Sequence, residues 1–581
     1  MTFLSRIMIL KSQAHFSSSG QRGGGFPENA SFEGSAKRKS ALARKRVGLM
    51  IAGFVICYGV IGGRLVQYGY ALPETVSSII PADRLMASRP DVLDRNGEVL
   101  ATDIRTVSLF AEPHKIVDAD EAVEKLATVL TDLDPKWAYN KLSGKSHFQW
   151  LRRQLTPKQQ SQILALGIPG IGFRPEKRRF YPGGATAAHV VGYVNIDNRG
   201  VSGMERYIDS QGLADLAAVG MTSDTPLEPV KLSIDLRVQN IVRDVMINAI
   251  SDYQAIGAGA VVLDIHTGEV LAMASAPDFD PNYPNAGKEE GWLNRMSNGT
   301  FEMGSTFKTF TTAMAIDSGK VKLTDSFDAR FPIRIGGFTI KDFHGKNRVL
   351  TVPEIFQYSS NIGTAKMADV VGIDAHKEFL TRLGLLTKIP TELPEVKMPS
   401  QPKVWKKINS ITISFGHGVS TTPLQTAVAA AALMNGGRLI EPTFLPRTRE
   451  EADLTAVRVV KESTSADMRY LFKWNGSMGS GRNAQVGGFD VGGKTGTADK
   501  VVNGRYSSDL NFNAFVAAFP MKDPQYVVLT FIDAPKTGEN GVRTAAGNAA
   551  VMVRNIIRRS AAILGVEPEF GEDGSALLVS Y

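Results

Sequence analysis

Gly304-Ser305-Thr306-Phe307-Lys308 opens a stretch in which Phe310, Ala313, Met314 and Ile316 recur at helical spacing before Gly319 stops the pattern. Ser305 and Lys308 are three positions apart, so a helix places hydroxyl and amine on one face, where Lys308 can take the Ser305 proton if it is neutral. Keeping a lysine neutral at pH 7 costs about 4 to 5 kcal/mol, which calls for burial and a second cation nearby. Taken alone, Ser-x-x-Lys arises by chance in most chains of this length. Two further stretches change that reading. Thr351-Val352-Pro353-Glu354 is a capping box with proline in its first turn, and the short helix it starts delivers Ser359-Ser360-Asn361. There Ser359 is placed to relay a proton and Asn361 to hold an amide. Gly493-Lys494-Thr495-Gly496-Thr497 supplies the cation, two hydroxyls and glycines that let a ligand backbone approach a strand.

Gly488 to Thr495 also fits the phosphate-loop pattern Gly-x-x-x-x-Gly-Lys-Thr. That motif needs an apolar strand before it and a helix after it. Gly487-Gly488 precede it instead, and Asp499 to Ser508 are polar without helical periodicity, so a strand reading is preferred. His189 and His417 lack metalloprotease spacing, and no Gly-x-Ser-x-Gly elbow accompanies them. Both read as structural residues.

The flanks set the fold class. Ala260–Asp264 and Val270–Ala274 around His266-Thr267-Gly268 read as a hairpin, as do Ala514–Phe519 and Tyr526–Ile532 around Lys522-Asp523-Pro524. An amphipathic helix with Val238, Ile241, Val242, Val245 and Ala249 precedes the first, and one with Val553, Ile556 and Ile557 follows the second. Strands at both ends and a helical middle predict an α+β fold, an antiparallel sheet closed by distant segments and packed between helices. Farther upstream, Arg89 to Leu100 reads as two short strands about the Asn96-Gly97 turn and begins an external support domain.

A length of 581 residues implies two or three domains. The net charge of +8 is concentrated in residues 1–46, which hold nine Lys/Arg and two Glu. The rest is nearly neutral and offers no basic field for nucleic acid. Cys57 is the only cysteine, which excludes an intramolecular disulfide. Residues 47–66 are apolar except Arg64, preceded by Lys37, Arg38, Lys39, Arg44, Lys45 and Arg46 and followed by Tyr68 and Tyr70. That pattern predicts one membrane-spanning helix with a cytoplasmic N-terminus. The late start, the length and the lack of a small-x-small site argue against a cleaved signal peptide.

Ser305-x-x-Lys308, Ser359-x-Asn361 and Lys494-Thr495-Gly496, spaced 54 and 135 residues apart, resemble the three signatures of penicillin-binding proteins and serine β-lactamases. Asp94-Arg95-Asn96-Gly97, Arg179-x-Tyr181-Pro182, Ala188-His189, Gly203-x-Glu205 and Phe415-Gly416-His417-Gly418 look like class B penicillin-binding proteins. Gly192-Tyr193-Val194-Asn195 and the short C-terminus are most similar to the division-specific, FtsI-type members. Met303, where proline is frequent, and Pro90, where glycine is common, depart from the pattern without removing a chemical group.

The resemblance implies a tail over residues 1–46, a membrane helix over 47–66, a support (pedestal) domain over 67–227, a transpeptidase domain over 228–571 and a C-terminal tail over 572–581. It implies septal cross-linking of stem peptides ending in D-Ala-D-Ala at the cytoplasmic membrane, with the catalytic domain outside, beside an FtsW-type glycosyltransferase. It also implies inhibition by β-lactams and no cofactor or metal. Ser305 is then the nucleophile, Lys308 the base, and Ser359, Asn361 and Lys494 the rest of the catalytic set. Thr495, Gly496 and Thr497 would bind the substrate carboxylate, and the backbone N–H groups of Ser305 and Thr497 would form the oxyanion hole. The alternatives are an elongation-specific transpeptidase, a β-lactamase, or a non-catalytic scaffold that retains the pocket.

Overall fold

The computed structural model describes residues 48–64, 89–212, 227–286, 289–502, 504–536 and 544–569. The expectations for residues 1–46, for Tyr68 and Tyr70 and for residues 572–581 lie outside them. The chain divides into two units, Met1–Arg84 and Leu85–Tyr581. In the first, residues 48–64 form a helix whose apolar side chains are exposed. No helix among the described residues is long and apolar enough to cross a membrane. The expected span also needs Val47, Leu65 and Val66, which are not among them.

The second unit begins with a sheet organised by one long strand, Val99–Ala111, which pairs with Gln149–Leu155 and with Ile171–Phe180. At its end the alternate residues Leu109 and Ala111 enter a core with Leu126, Leu142 and Leu151 from the adjoining helices and strand. The Asn96-Gly97 turn joins Val92–Leu93 to this strand in antiparallel register, and Val230–Lys231 pairs parallel to Val92–Leu93. At the base of the sheet the Glu205 carboxylate, fully buried, takes hydrogen bonds from Arg89 (2.8 Å) and Arg179 (2.6 Å), and Arg179 also reaches Asp103 at 3.1 Å. Gly203, the first residue of the helix Gly203–Ser210 that carries Glu205, donates its N–H to the Glu395 carboxylate (3.1 Å), which ties this helix to the segment before Met398.

The larger sheet is antiparallel throughout, in the order Gly492–Val502, Arg505–Phe519, Tyr526–Asp533, Gly257–Asp264, Val270–Ala276. Both predicted hairpins are present, and the C-terminal one pairs with the N-terminal one, closing the sheet across the intervening helices. Alternate residues serve two cores. Phe515, Ala517 and Phe519 pack with the helices Leu236–Tyr253 and Ala549–Ser560, whereas Ala514, Val516 and Ala518 join the core that contains Phe307, Phe310 and Met314. Each large side chain buried in this way contributes about 1.5–3 kcal/mol. The helix after Ser305 is therefore central rather than amphipathic: every residue from Lys308 to Ile316 is buried.

Candidate active site

Ser305 lies in a tighter turn that precedes the α-helix, not in the α-helix itself. Gly304–Phe307 is a 3-10 turn, and the α-helix begins at Lys308. Gly304 has φ +53°, and a Cβ on it would stand 2.6 Å from the Thr497 carbonyl oxygen. Across the contact, a Cβ on Gly496 would stand 2.3 Å from the Met303 carbonyl oxygen. Only glycine at both positions lets the turn lie against the strand. That contact sets the Ser305 backbone beside Thr497, and Ser305 is half-buried.

Lys308 and Lys494 are 1% and 0% exposed. Lys308 Nζ donates to the Ser359 carbonyl (2.5 Å) and to its hydroxyl (3.0 Å). Lys494 Nζ donates to the same hydroxyl at 3.0 Å and to the Thr495 carbonyl at 3.3 Å. Among the described residues no hydrogen bond joins Ser305 to Lys308, whose amine instead bonds the Ser359 carbonyl and hydroxyl. Burial first, and then the charge of Lys494, hold Lys308 well below the usual lysine range. Burial alone lowers Lys494 to about 7. The anticipated second cation is thus present and acts in the anticipated direction.

The capping box forms as predicted: Thr351 Oγ1 accepts from Glu354 N–H, and the Glu354 carboxylate accepts from Thr351 N–H. The helix it starts, Val352–Tyr358, ends with Ser359 in the left-handed region at φ 55° and ψ 45°. That conformation costs a non-glycine residue about 1–3 kcal/mol, and here it aims the hydroxyl between two amines. Ser360 caps the next helix, and Asn361 Nδ2 donates to the Lys341 carbonyl at 2.8 Å. Beyond Lys494 the chain continues as a strand to Val502, not as a helix, so the phosphate-loop geometry is absent. Thr495 Oγ1 lies 2.6 Å from Ser480 Oγ, and Thr497 is exposed at the cleft with a long contact from Ala545 N–H (3.5 Å).

Three structural partners were not evident in the motifs. Asp342 accepts from the Ser360 hydroxyl (2.7 Å) and from Ile362 N–H (2.9 Å), fixing the turn that carries Ser359. Glu302 accepts from Gly418 N–H (2.8 Å) and from the Tyr506 hydroxyl (3.2 Å), joining the segment before Ser305 to the Phe415–Gly418 loop and to the strand beside Lys494. Ser480 is the third. Only the Gly/Ser-rich run Gly476–Gly481 hinted at a loop before Lys494; Asp342 and Glu302 belong to no local pattern. His189 is structural as expected: its Nε2 lies 2.8 Å from the Gly291 carbonyl oxygen, and burial lowers its pKa to about 4.

The sequence matches the model of the penicillin binding protein transpeptidase domain over residues 258–557 and that of the penicillin-binding protein dimerisation domain over residues 84–213. It is 37% identical over 500 residues to a probable peptidoglycan D,D-transpeptidase FtsI of Caulobacter vibrioides, covering 84% of this chain and 83% of that one. A probable peptidoglycan D,D-transpeptidase PenA of Neisseria meningitidis serogroup A is 33% identical, with 91% and 95% covered. The peptidoglycan D,D-transpeptidase FtsI of Escherichia coli K12 is 30% identical, with 78% and 81% covered.

Proposed function

The chain belongs to the class B penicillin-binding proteins, a peptidoglycan D,D-transpeptidase of the FtsI type, and on that footing we propose that Ser305 forms its acyl-enzyme. The convergence of Lys308 and Lys494 on the Ser359 hydroxyl carries this reading. Neutral Lys308 takes the Ser305 proton as Oγ attacks the penultimate D-Ala carbonyl. Backbone N–H groups of Ser305 and Thr497 stabilise the oxyanion by several kcal/mol. As the tetrahedral centre collapses, its C–N bond breaks and the proton passes from Lys308, through Ser359, to the departing D-Ala amine. An amine of a neighbouring stem peptide then attacks the ester and returns a proton by the same route, which frees Ser305 and completes the cross-link.

Lys494, as an ammonium, supplies the field that keeps Lys308 neutral and completes the relay. Asn361 orients the stem-peptide amide, while Thr495, Gly496 and Thr497 bind the substrate, the two threonines receiving its terminal carboxylate. The basic tail, the apolar run over residues 47–66 and the domain order support an anchor in the cytoplasmic membrane, with residues 67–227 as the support and 228–571 as the catalytic domain outside it. The FtsI relatives favour septal over elongation synthesis, and an FtsW-type glycosyltransferase is the partner this role requires.

Labelling with fluorescent penicillin tests the mechanism. A stable adduct mapped to Ser305 by mass spectrometry, lost in Ser305→Ala, is expected. A folded wild-type protein that takes no label would overturn it. Septal localisation of a fluorescent fusion, against label spread along the side wall, decides the cellular role.

A further inference from the structure

We propose that the stretch from Arg330 to Arg348 is the docking surface for the acceptor, the second stem peptide, whose amine resolves the acyl-enzyme; this rests on the mechanism given above. Phe331, Phe338 and Phe343 are 69%, 67% and 85% exposed. Single exposed apolar side chains are ordinary on a protein surface, but three phenylalanines within 13 residues mark a contact surface. The core beneath does not need them. Ile333–Ile335 and Phe338–Ile340 form a hairpin whose Ile333, Ile335 and Ile340 already pack with Ala365, Ile411 and Phe415.

Charge and position both select the occupant. The stretch holds five cations, Arg330, Arg334, Lys341, Lys346 and Arg348, against one anion, Asp342. Arg330 and Arg348 pair with Asp328 and Glu354, whereas Arg334 and Lys341 have no ion pair among the described residues. A stem peptide ends in a carboxylate, which such a field attracts. The stretch is also fastened on both sides of Ser359. Lys346 Nζ stands 4.8 Å from the centre of the Tyr358 ring, the Asp342 carboxylate takes the Ser360 hydroxyl and the Ile362 N–H, and the Lys341 carbonyl accepts from Asn361 Nδ2 at 2.8 Å. Ser359 is the hydroxyl through which the incoming amine gives up its proton, so an acceptor that reaches it lays its chain beside Lys341, Phe343 and Lys346. The donor is held separately, by Thr495 and Thr497 on the Lys494 strand.

The test supplies the full chain with an N-acyl-D-alanyl thioester as donor and compares transfer to two acceptors: free D-alanine, which has no chain to lay on this surface, and a stem pentapeptide with a free side-chain amine. Phe343→Ala should cut transfer to the pentapeptide about tenfold, and Lys341→Gln with Lys346→Gln about fivefold, each as a rise in the KM for the acceptor. Transfer to D-alanine, and acylation of Ser305 by benzylpenicillin, should stay within about twofold. The lysine effect should fade at high salt and should vanish for a pentapeptide whose carboxyl groups are amidated. Equal losses with both acceptors, no loss with either, or a wild type without preference for the pentapeptide would overturn the proposal and point to another protein as the occupant. Failure of benzylpenicillin to label Ser305 in the wild type would instead sink the acyl-enzyme mechanism, so the two failures are told apart.

Discussion

Lys308 and Lys494 come from helix and strand 186 residues apart in sequence, yet each places its Nζ 3.0 Å from the hydroxyl of Ser359. Two buried amines on one hydroxyl cannot both keep a full charge cheaply. On the proposed mechanism acylation requires neutral Lys308, so its rate should climb with pH along a limb lying well below the ordinary lysine range. Lys494→Met removes the charge that lowers Lys308. The acid limb should then move up by about one pH unit, alongside a large fall in rate. Stopped-flow penicillin acylation between pH 5 and about pH 10 measures it; an unmoved limb means that the two amines do not interact.

The same substitution should stabilise the fold. Burial lowers Lys494 to about 7 in the folded protein, against about 10.4 in the unfolded chain. Its burial therefore costs stability fully below pH 7, progressively less as pH rises, and nothing above the unfolded value. Lys494→Met should gain about 1–4 kcal/mol at pH 6, seen as a higher Tm, with the gap closing by about pH 10.5. A Tm difference that does not change with pH would contradict it.

Asp342 acts on the site through the turn it holds and through its charge. Asp342→Asn weakens the bonds to Ser360 and Ile362 and should slow acylation about tenfold. The Asp342 charge raises the Lys308 pKa, so its removal should shift the acid limb to lower pH, opposite to Lys494→Met. A purely structural role would lower the rate and leave the limb in place.

Glu205→Gln leaves Arg89 and Arg179 facing a neutral amide inside the support domain. Breaking a buried pair of this kind costs about 3–5 kcal/mol. Thermal unfolding should drop by several degrees while penicillin labelling of Ser305 at low temperature persists. Loss of labelling in a protein that still melts cooperatively would show that the support domain governs the cleft.

Local patterns carried much of this architecture. Alternation marked the hairpins that became the ends of one sheet, the Thr351–Glu354 box formed as a cap, and the polar stretch after Lys494 excluded a phosphate-loop helix. Those signals are legible because period and capping depend on neighbours within a few residues. The first turn at Ser305 was less so. A 3-10 turn there depends on Gly304 lying against Thr497, a contact between residues 193 apart.

Residue types and spacing by themselves determined which groups the proposed chemistry draws on: a serine, two lysines, a second serine and the hydroxyls of Thr495 and Thr497. Tertiary structure alone decided how they meet. It turned Ser359, not Ser305, toward both amines, recruited Asp342, Glu302 and Ser480, and lowered both lysines. Burial and Coulomb interaction depend on distances through space, and those are set by the packing of segments that the chain order keeps far apart.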